Sequence, residues 1–181
     1  MATSNAFHIL LNVQGLRDKL KRARLKEYLS QQKADIAFLQ ETHFSSDMQS
    51  VLKDEFQDWT IYNSYGDSKS KGCAILIKKQ FQCQVINTHS SDAGRYIFMD
   101  IECENNTYSL LNIYAPNDKK CRNAFFTQIS TLLLEHSEGV KLIGGDFNET
   151  LNNHIDRTSR SIYNTINTNK NSNLTKLIKE Q

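Results

Sequence analysis

The sequence predicts an α/β fold in which parallel and antiparallel strands both occur, and three observations carry that reading. Residues 7–13 and 35–40 are apolar, β-prone runs separated by an amphipathic stretch at 18–32. That order is strand, helix, strand, and the right-handed crossover rule makes the two strands parallel. Between residues 59 and 114 come five short strand patterns with turns but no long helix, which is how an antiparallel sheet reads. The chain then passes through one more helical pattern into Val140-Lys141-Leu142-Ile143, an apolar run that Gly144-Gly145-Asp146 brings to a stop.

Each element has its own justification. In the helix at 18–32, Leu25, Tyr28 and Leu29 share one face, and Lys19, Lys21, Arg22, Arg24 and Lys26 crowd its first half. The second strand closes on Glu41-Thr42-His43, and a short helix is expected at 47–56. Strands are expected at 59–63, 72–78, 84–89, 96–102 and 108–114, with turns at Gly66-Asp67 and Glu104-Asn105-Asn106. Ala115-Pro116-Asn117 ends the last of these, because proline cannot continue the ladder and restricts the residue before it. A helix over 122–135 buries Phe125, Ile129, Leu132 and Leu133. Val140, Leu142 and Ile143 are read as a buried strand, and a last helix is expected at 174–178 after an Asn- and Thr-rich loop.

Composition narrows the function classes. With 181 residues and 39% hydrophobic content, the chain suits one domain or most of a larger one. A net charge of +2 is too small by itself to declare a nucleic-acid partner. Cys73, Cys83, Cys103 and Cys121 lack zinc-site spacing and stapled-scaffold density, so reduced thiols are expected. No apolar run approaches the ~20 residues of a membrane span, and no signal-peptide pattern opens the chain. The expectation is an intracellular protein with no membrane partner.

What distinguishes the sequence is where its polar residues fall. Asn12, Glu41, Tyr114, and Asp146 with Asn148 all sit at the carboxyl ends of expected strands, the end at which open α/β sheets bind ligands. Taken singly, the same residues serve equally well as turn formers, a surface acid and a core aromatic. The basic run at 19–26 likewise suits either phosphates or a solvated face.

In order along the chain stand Asn12-Val13-Gln14-Gly15-Leu16, Leu39-Gln40-Glu41-Thr42-His43, Lys71-Gly72-Cys73-Ala74-Ile75-Leu76-Ile77, Gly94-Arg95-Tyr96, Asn112-Ile113-Tyr114-Ala115-Pro116-Asn117 and Gly144-Gly145-Asp146-Phe147-Asn148. Ile155-Asp156-Arg157 follows them. Together these motifs resemble the endonuclease/exonuclease/phosphatase superfamily, and within it the apurinic-type endonuclease domain of LINE retrotransposons. One such piece is weak evidence, whereas six in the right order are strong.

The resemblance implies a two-sheet α/β sandwich of the DNase I kind, incomplete at its C-terminus, over residues 1–160, with 161–181 beginning a further helix. It implies that Glu41 is the acidic ligand of a Mg²⁺ ion, which Mn²⁺ can replace, and that Asn12 is the amide beside that metal. It makes Asp146 the residue that orients and deprotonates the attacking water, Asn148 a holder of the scissile phosphate, and Tyr114 a donor to the phosphate or leaving oxygen. Such domains nick DNA in the nucleus ahead of a reverse transcriptase. Lys19, Lys21, Arg22, Arg24 and Lys26 are then candidate DNA contacts. The family's further catalytic Asp and Ser-Asp-His motif have no counterpart after Asp146, so low activity of this chain is expected. An inactive remnant and a phosphatase of the same superfamily are the alternatives.

Overall fold

The computed structural model describes residues 6–67 and 69–149. The expected helix at 174–178, the segment Ile155-Asp156-Arg157 and the boundary at residue 160 lie outside them. By their contacts the described residues form two compact units. One runs through Tyr114 and adds Glu138–Asp146, and the other holds Ala115–Ser137 with the residues after Asp146.

The first unit begins with the expected parallel pair. β1 (His8–Asn12) and β2 (Ile36–Gln40) run side by side with Asn12 opposite Gln40, and α1 (Lys19–Gln31) makes the crossover. Asp18 starts α1 by accepting the Lys21 N–H at 2.8 Å, which satisfies one of the donors that a helix start leaves open. A 3-10 turn at Ser46–Met48 leads into α2 (Gln49–Glu55), so the single helix expected at 47–56 is two joined pieces. β3 (Trp59–Ser64) and β4 (Cys73–Lys78) complete a sheet of order β1-β2-β4-β3. The second sheet has β5 (Gln84–Ser90), β6 (Tyr96–Cys103), β7 (Asn106–Tyr114) and β8 (Val140–Asp146) in sequence order. Its first three strands pair antiparallel, whereas β7 and β8 run parallel with Tyr114 opposite Asp146. Two mixed sheets thus make the α/β sandwich that the resemblance implies.

The apolar patterns explain the packing. Ile36, Phe38, Ile75 and Ile77 from one sheet meet Ile97, Met99, Ile101 and Leu110 from the other. On the outer face of the first sheet, Leu25 and Leu29 of α1 and Leu52 of α2 pack on Ile9, Ala37, Leu39, Ala74 and Leu76. Every residue of β2 is buried, because this strand is covered on both faces.

β8 corrects the expectation of a buried strand. Val140 is 62% exposed and Leu142 37%, since β8 is an edge strand, paired only to β7 among the described residues. An unbroken apolar run does not distinguish an edge strand from a central one.

In the second unit, α3 (Lys119–His136) starts earlier than the apolar periodicity suggested because Asp118 caps it, accepting the Cys121 N–H at 2.9 Å. Phe125, Phe126, Ile129, Leu132 and Leu133 of α3 are buried. No helix among the described residues is long and apolar enough to cross a membrane.

Candidate active site

The carboxyl ends of β1, β2, β7 and β8 deliver four of the expected residues to one place in the first unit. Asn12 is the hub. Its Nδ2 donates to Glu41 Oε1 at 2.8 Å and to Asp146 Oδ2 at 2.9 Å, so two carboxylates from distant parts of the chain share one amide nitrogen. The Asn12 side-chain oxygen, Oδ1, accepts the Gln14 N–H at 3.1 Å. The Tyr114 hydroxyl donates to Glu41. Burial first, then Glu41 and Asp146, push the phenol up to about 12, while Arg95 works in the opposite direction. Tyr114 is therefore a protonated donor throughout the physiological range.

The backbone around these groups is held in conformations that side-chain-bearing residues seldom adopt. Gln14, Glu41, His43 and Lys71 have φ of 47°, 54°, 55° and 64°. Such residues persist only where their surroundings fix them, and they cluster at functional sites. Here the fixing groups are backbone hydrogen bonds: Gly15 N to Glu41 O at 2.6 Å, Thr42 N to Gly72 O at 3.1 Å and His43 N to Lys71 O at 3.0 Å. Gly15, at φ +86°, lies under the His43 ring, where a Cβ would stand 2.8 Å from Nδ1. Gly145 faces Ile113 of the neighbouring strand so closely that a Cβ would sit 2.0 Å from its carbonyl oxygen. A side chain at either position would collide, so glycine lets the chain after Asn12 pass under His43 and lets β8 close on Ile113 just before Asp146. His43 stands 4.0 Å from Glu41, Nε2 to Oε2.

Asn112 and Gln40, which stand in the quoted motifs without a role of their own, tie the sheets together under the site. Asn112, fully buried in β7, donates to Leu39 O at 2.9 Å and Ala74 O at 2.8 Å in the other sheet, and accepts from Gln40 Nε2 at 2.7 Å. The available signal was a lone amide within the apolar run Leu110-Leu111-Asn112-Ile113. Such a residue must find partners inside the protein.

Asn148 belongs to the second unit, where its Nδ2 donates to Ala115 O at 2.7 Å.

The basic run on α1 is corrected in part. Arg22 is 4% exposed, and its guanidinium is committed to Glu55 and to the carbonyls of Leu16 and Arg17. Lys21 Nζ donates to Gln14 O at 2.8 Å, and Lys26 Nζ to Glu55 O at 2.7 Å. Lys19 and Arg24 face solvent. A run of charges in the sequence does not separate helix faces, and α1 turns Arg22 inward.

The donor set decides what cation suits the site. Among the described residues no group of three or more His, Cys, Asp or Glu side chains could hold a metal ion. The Glu41 and Asp146 carboxylates, gathered by one amide, are oxygen donors of the kind and number that Mg²⁺ takes while keeping several of its waters. The Asn12 amide, bonded to both, orients the two carboxylates.

A family model described as Endonuclease/Exonuclease/phosphatase family matches residues 9–174. The chain is 30% identical over 142 residues to the Transposon TX1 uncharacterized 149 kDa protein of Xenopus laevis, an alignment covering 78% of this chain and 11% of that protein. Among solved structures it is similar to the endonuclease domain of TRAS1, a telomere-specific non-LTR retrotransposon, with TM-score 0.60 and 20% identity over 78% of this chain and 60% of that one. It is also similar to D. rerio TDP2 in complex with a single-strand DNA product, with TM-score 0.63 and 18% identity over 82% of this chain and 62% of that one. At such identities the structural likenesses establish the fold alone. In each case the chain spans less than two thirds of its relative.

Proposed function

The chain belongs to the Endonuclease/Exonuclease/phosphatase family, and from that premise we propose that it is the Mg²⁺-dependent DNA endonuclease domain of a LINE-type retrotransposon. The observation that carries the proposal is the pair of carboxylates, Glu41 and Asp146, drawn from the ends of two strands in different sheets and held on one Asn12 amide. The TX1 relationship supports the choice of element.

The residues have separable tasks. Glu41 and Asp146 are the groups that would hold or face the cation, which when bound supplies positive charge at the phosphate and lowers the pKa of water. Asp146 accepts the proton of the attacking water. Asn12 keeps the two carboxylates in position without neutralising them. Tyr114, protonated to about 12, donates to the oxygens on which negative charge develops, a preorganised donor of the kind that contributes strongly to hydrolysis. The substrate is duplex DNA, reached in the nucleus, and the nick serves a reverse transcriptase encoded downstream in an intact element.

The test is relaxation of supercoiled plasmid by the purified chain in Mg²⁺, beside calorimetric titration with Mn²⁺. Glu41→Ala and Asp146→Ala should each lower nicking by ~10²-fold or more, and Glu41→Ala should weaken Mn²⁺ binding. Nicking that survives both substitutions would remove the assignment, as would Mn²⁺ binding indifferent to Glu41.

A further inference from the structure

Gly94-Arg95-Tyr96 is a motif to which the proposed chemistry gives no task, yet it lies against the site. Arg95 precedes β6 and reaches Tyr114, at the end of β7, in three ways. Its carbonyl accepts the Tyr114 N–H at 2.7 Å, its Nη1 donates to the Tyr114 carbonyl at 3.3 Å, and its guanidinium carbon stands 4.8 Å from the centre of the Tyr114 ring. Backbone and ring are thus gripped by one residue. Arg95 is itself fixed at its root. Gly94, at φ +65°, packs so closely that a Cβ would lie 2.7 Å from Gly66 Cα and Tyr65 O, and its carbonyl accepts the Gly72 N–H at 3.0 Å.

We propose that Arg95 is the positioning residue for Tyr114, holding the phenol ring by stacking so that its hydroxyl meets Glu41 and whatever oxygen takes its place during hydrolysis. The inference rests on the nuclease reading only for its kinetic consequence. A tyrosine ring on a strand end has two soft torsions, and a planar cation over its face restricts both, favourably through the ring quadrupole. Lysine keeps the charge but lacks the plane and the fork, so it cannot stack and bond at once. A merely structural arginine would affect stability and leave the ring and the turnover of folded molecules alone.

Two readouts test this separately. With ¹³C-labelled tyrosine rings, Arg95→Ala and Arg95→Lys should shift and narrow the Tyr114 resonances toward those of a freely rotating ring, while the other tyrosines keep their positions and so report a retained fold. Unmoved Tyr114 resonances in both variants would overturn the proposal, whether or not the protein cuts DNA. In plasmid nicking, Arg95→Ala should lower kcat roughly 10-fold with KM within about twofold, and the same substitution should cost nothing further in a Tyr114→Phe background. An equal loss in both backgrounds, or a raised KM with kcat unchanged, would show instead that Arg95 contacts phosphate on its own account. If no form of the protein nicks while the ring responds as expected, the nuclease reading fails and the positioning role stands.

Discussion

The starts of α1 and α3 are built from the same local device and finished differently. Asp18 and Asp118 each accept the N–H three residues on, and Arg22 and Arg122, four residues on, each turn back to the two carbonyls preceding the capping aspartate. Each arginine also faces a glutamate from elsewhere in its own unit. Arg22 meets Glu55 with two hydrogen bonds, Nε at 2.5 Å and Nη2 at 3.0 Å. Arg122 Nε stays 3.8 Å from Glu149 Oε2, and both atoms are buried without a hydrogen-bond partner among the described residues. Five residues of sequence are enough to specify the cap. What the arginine contributes to stability depends on a partner that those five residues do not encode.

The largest expected effect follows from the closed pair. Glu55→Gln leaves the nearly buried Arg22 without its counter-charge, which should cost roughly 3 kcal/mol in urea unfolding at neutral pH. The hydrogen bond from Arg22, more than its charge alone, holds the Glu55 carboxyl below its ordinary value of 4.5. A depressed carboxylate contributes stability that is fully present above the ordinary value and is lost as pH falls through the folded one. The native protein should therefore lose stability as pH falls below the ordinary carboxylate value of 4.5, and Glu55→Gln should flatten that acid limb. Parallel acid limbs for the two proteins would break the contrast.

A smaller effect is expected at the open pair. Glu149→Gln removes a charge that faces Arg122 at 3.8 Å without a hydrogen bond, so its cost should be smaller than that of Glu55→Gln. A loss matching that of Glu55→Gln would mean that the two arginine sites are equivalent in solution. The smallest effect concerns the solvent side of α1. Reversing Lys19 and Arg24 to Glu should leave the unfolding midpoint nearly unchanged and reduce the dependence of DNA affinity on salt by about one unit for each phosphate no longer neutralised. An unchanged salt slope would assign that face to solvent alone.

The two caps also show where the sequence was legible. The strand and helix order could be read because periodicity and turn residues are local signals, and the strand-end residues Asn12, Glu41, Tyr114 and Asp146 could be picked out because each follows a recognisable apolar run. Arg22 was misplaced because its inward turn depends on Glu55, which lies 33 positions away. Val140 and Leu142 were read as buried because hydrophobicity does not report whether a strand has neighbours on both sides. Asn112 opens a quoted motif, but its role was not legible for a related reason: its partners, Leu39, Gln40 and Ala74, belong to the other sheet. Arg95 stood in plain view within a motif, but its purpose becomes visible only when the ring beside it does.

Asn112 has a mechanical consequence for the sandwich. Faces made of isoleucine, methionine and phenylalanine attract without direction, and on their own they would tolerate one sheet slipping along the other. The amide of Asn112 acts as a dowel. It enters the opposite sheet between Leu39 and Ala74, two residues before Tyr114 on its own strand and two before Glu41 on the other. A change in core volume can tilt the sheets about that peg, but sliding them would break three buried hydrogen bonds together. The alignment of phenol and carboxylate is thus insulated from the repacking that a drifting core undergoes.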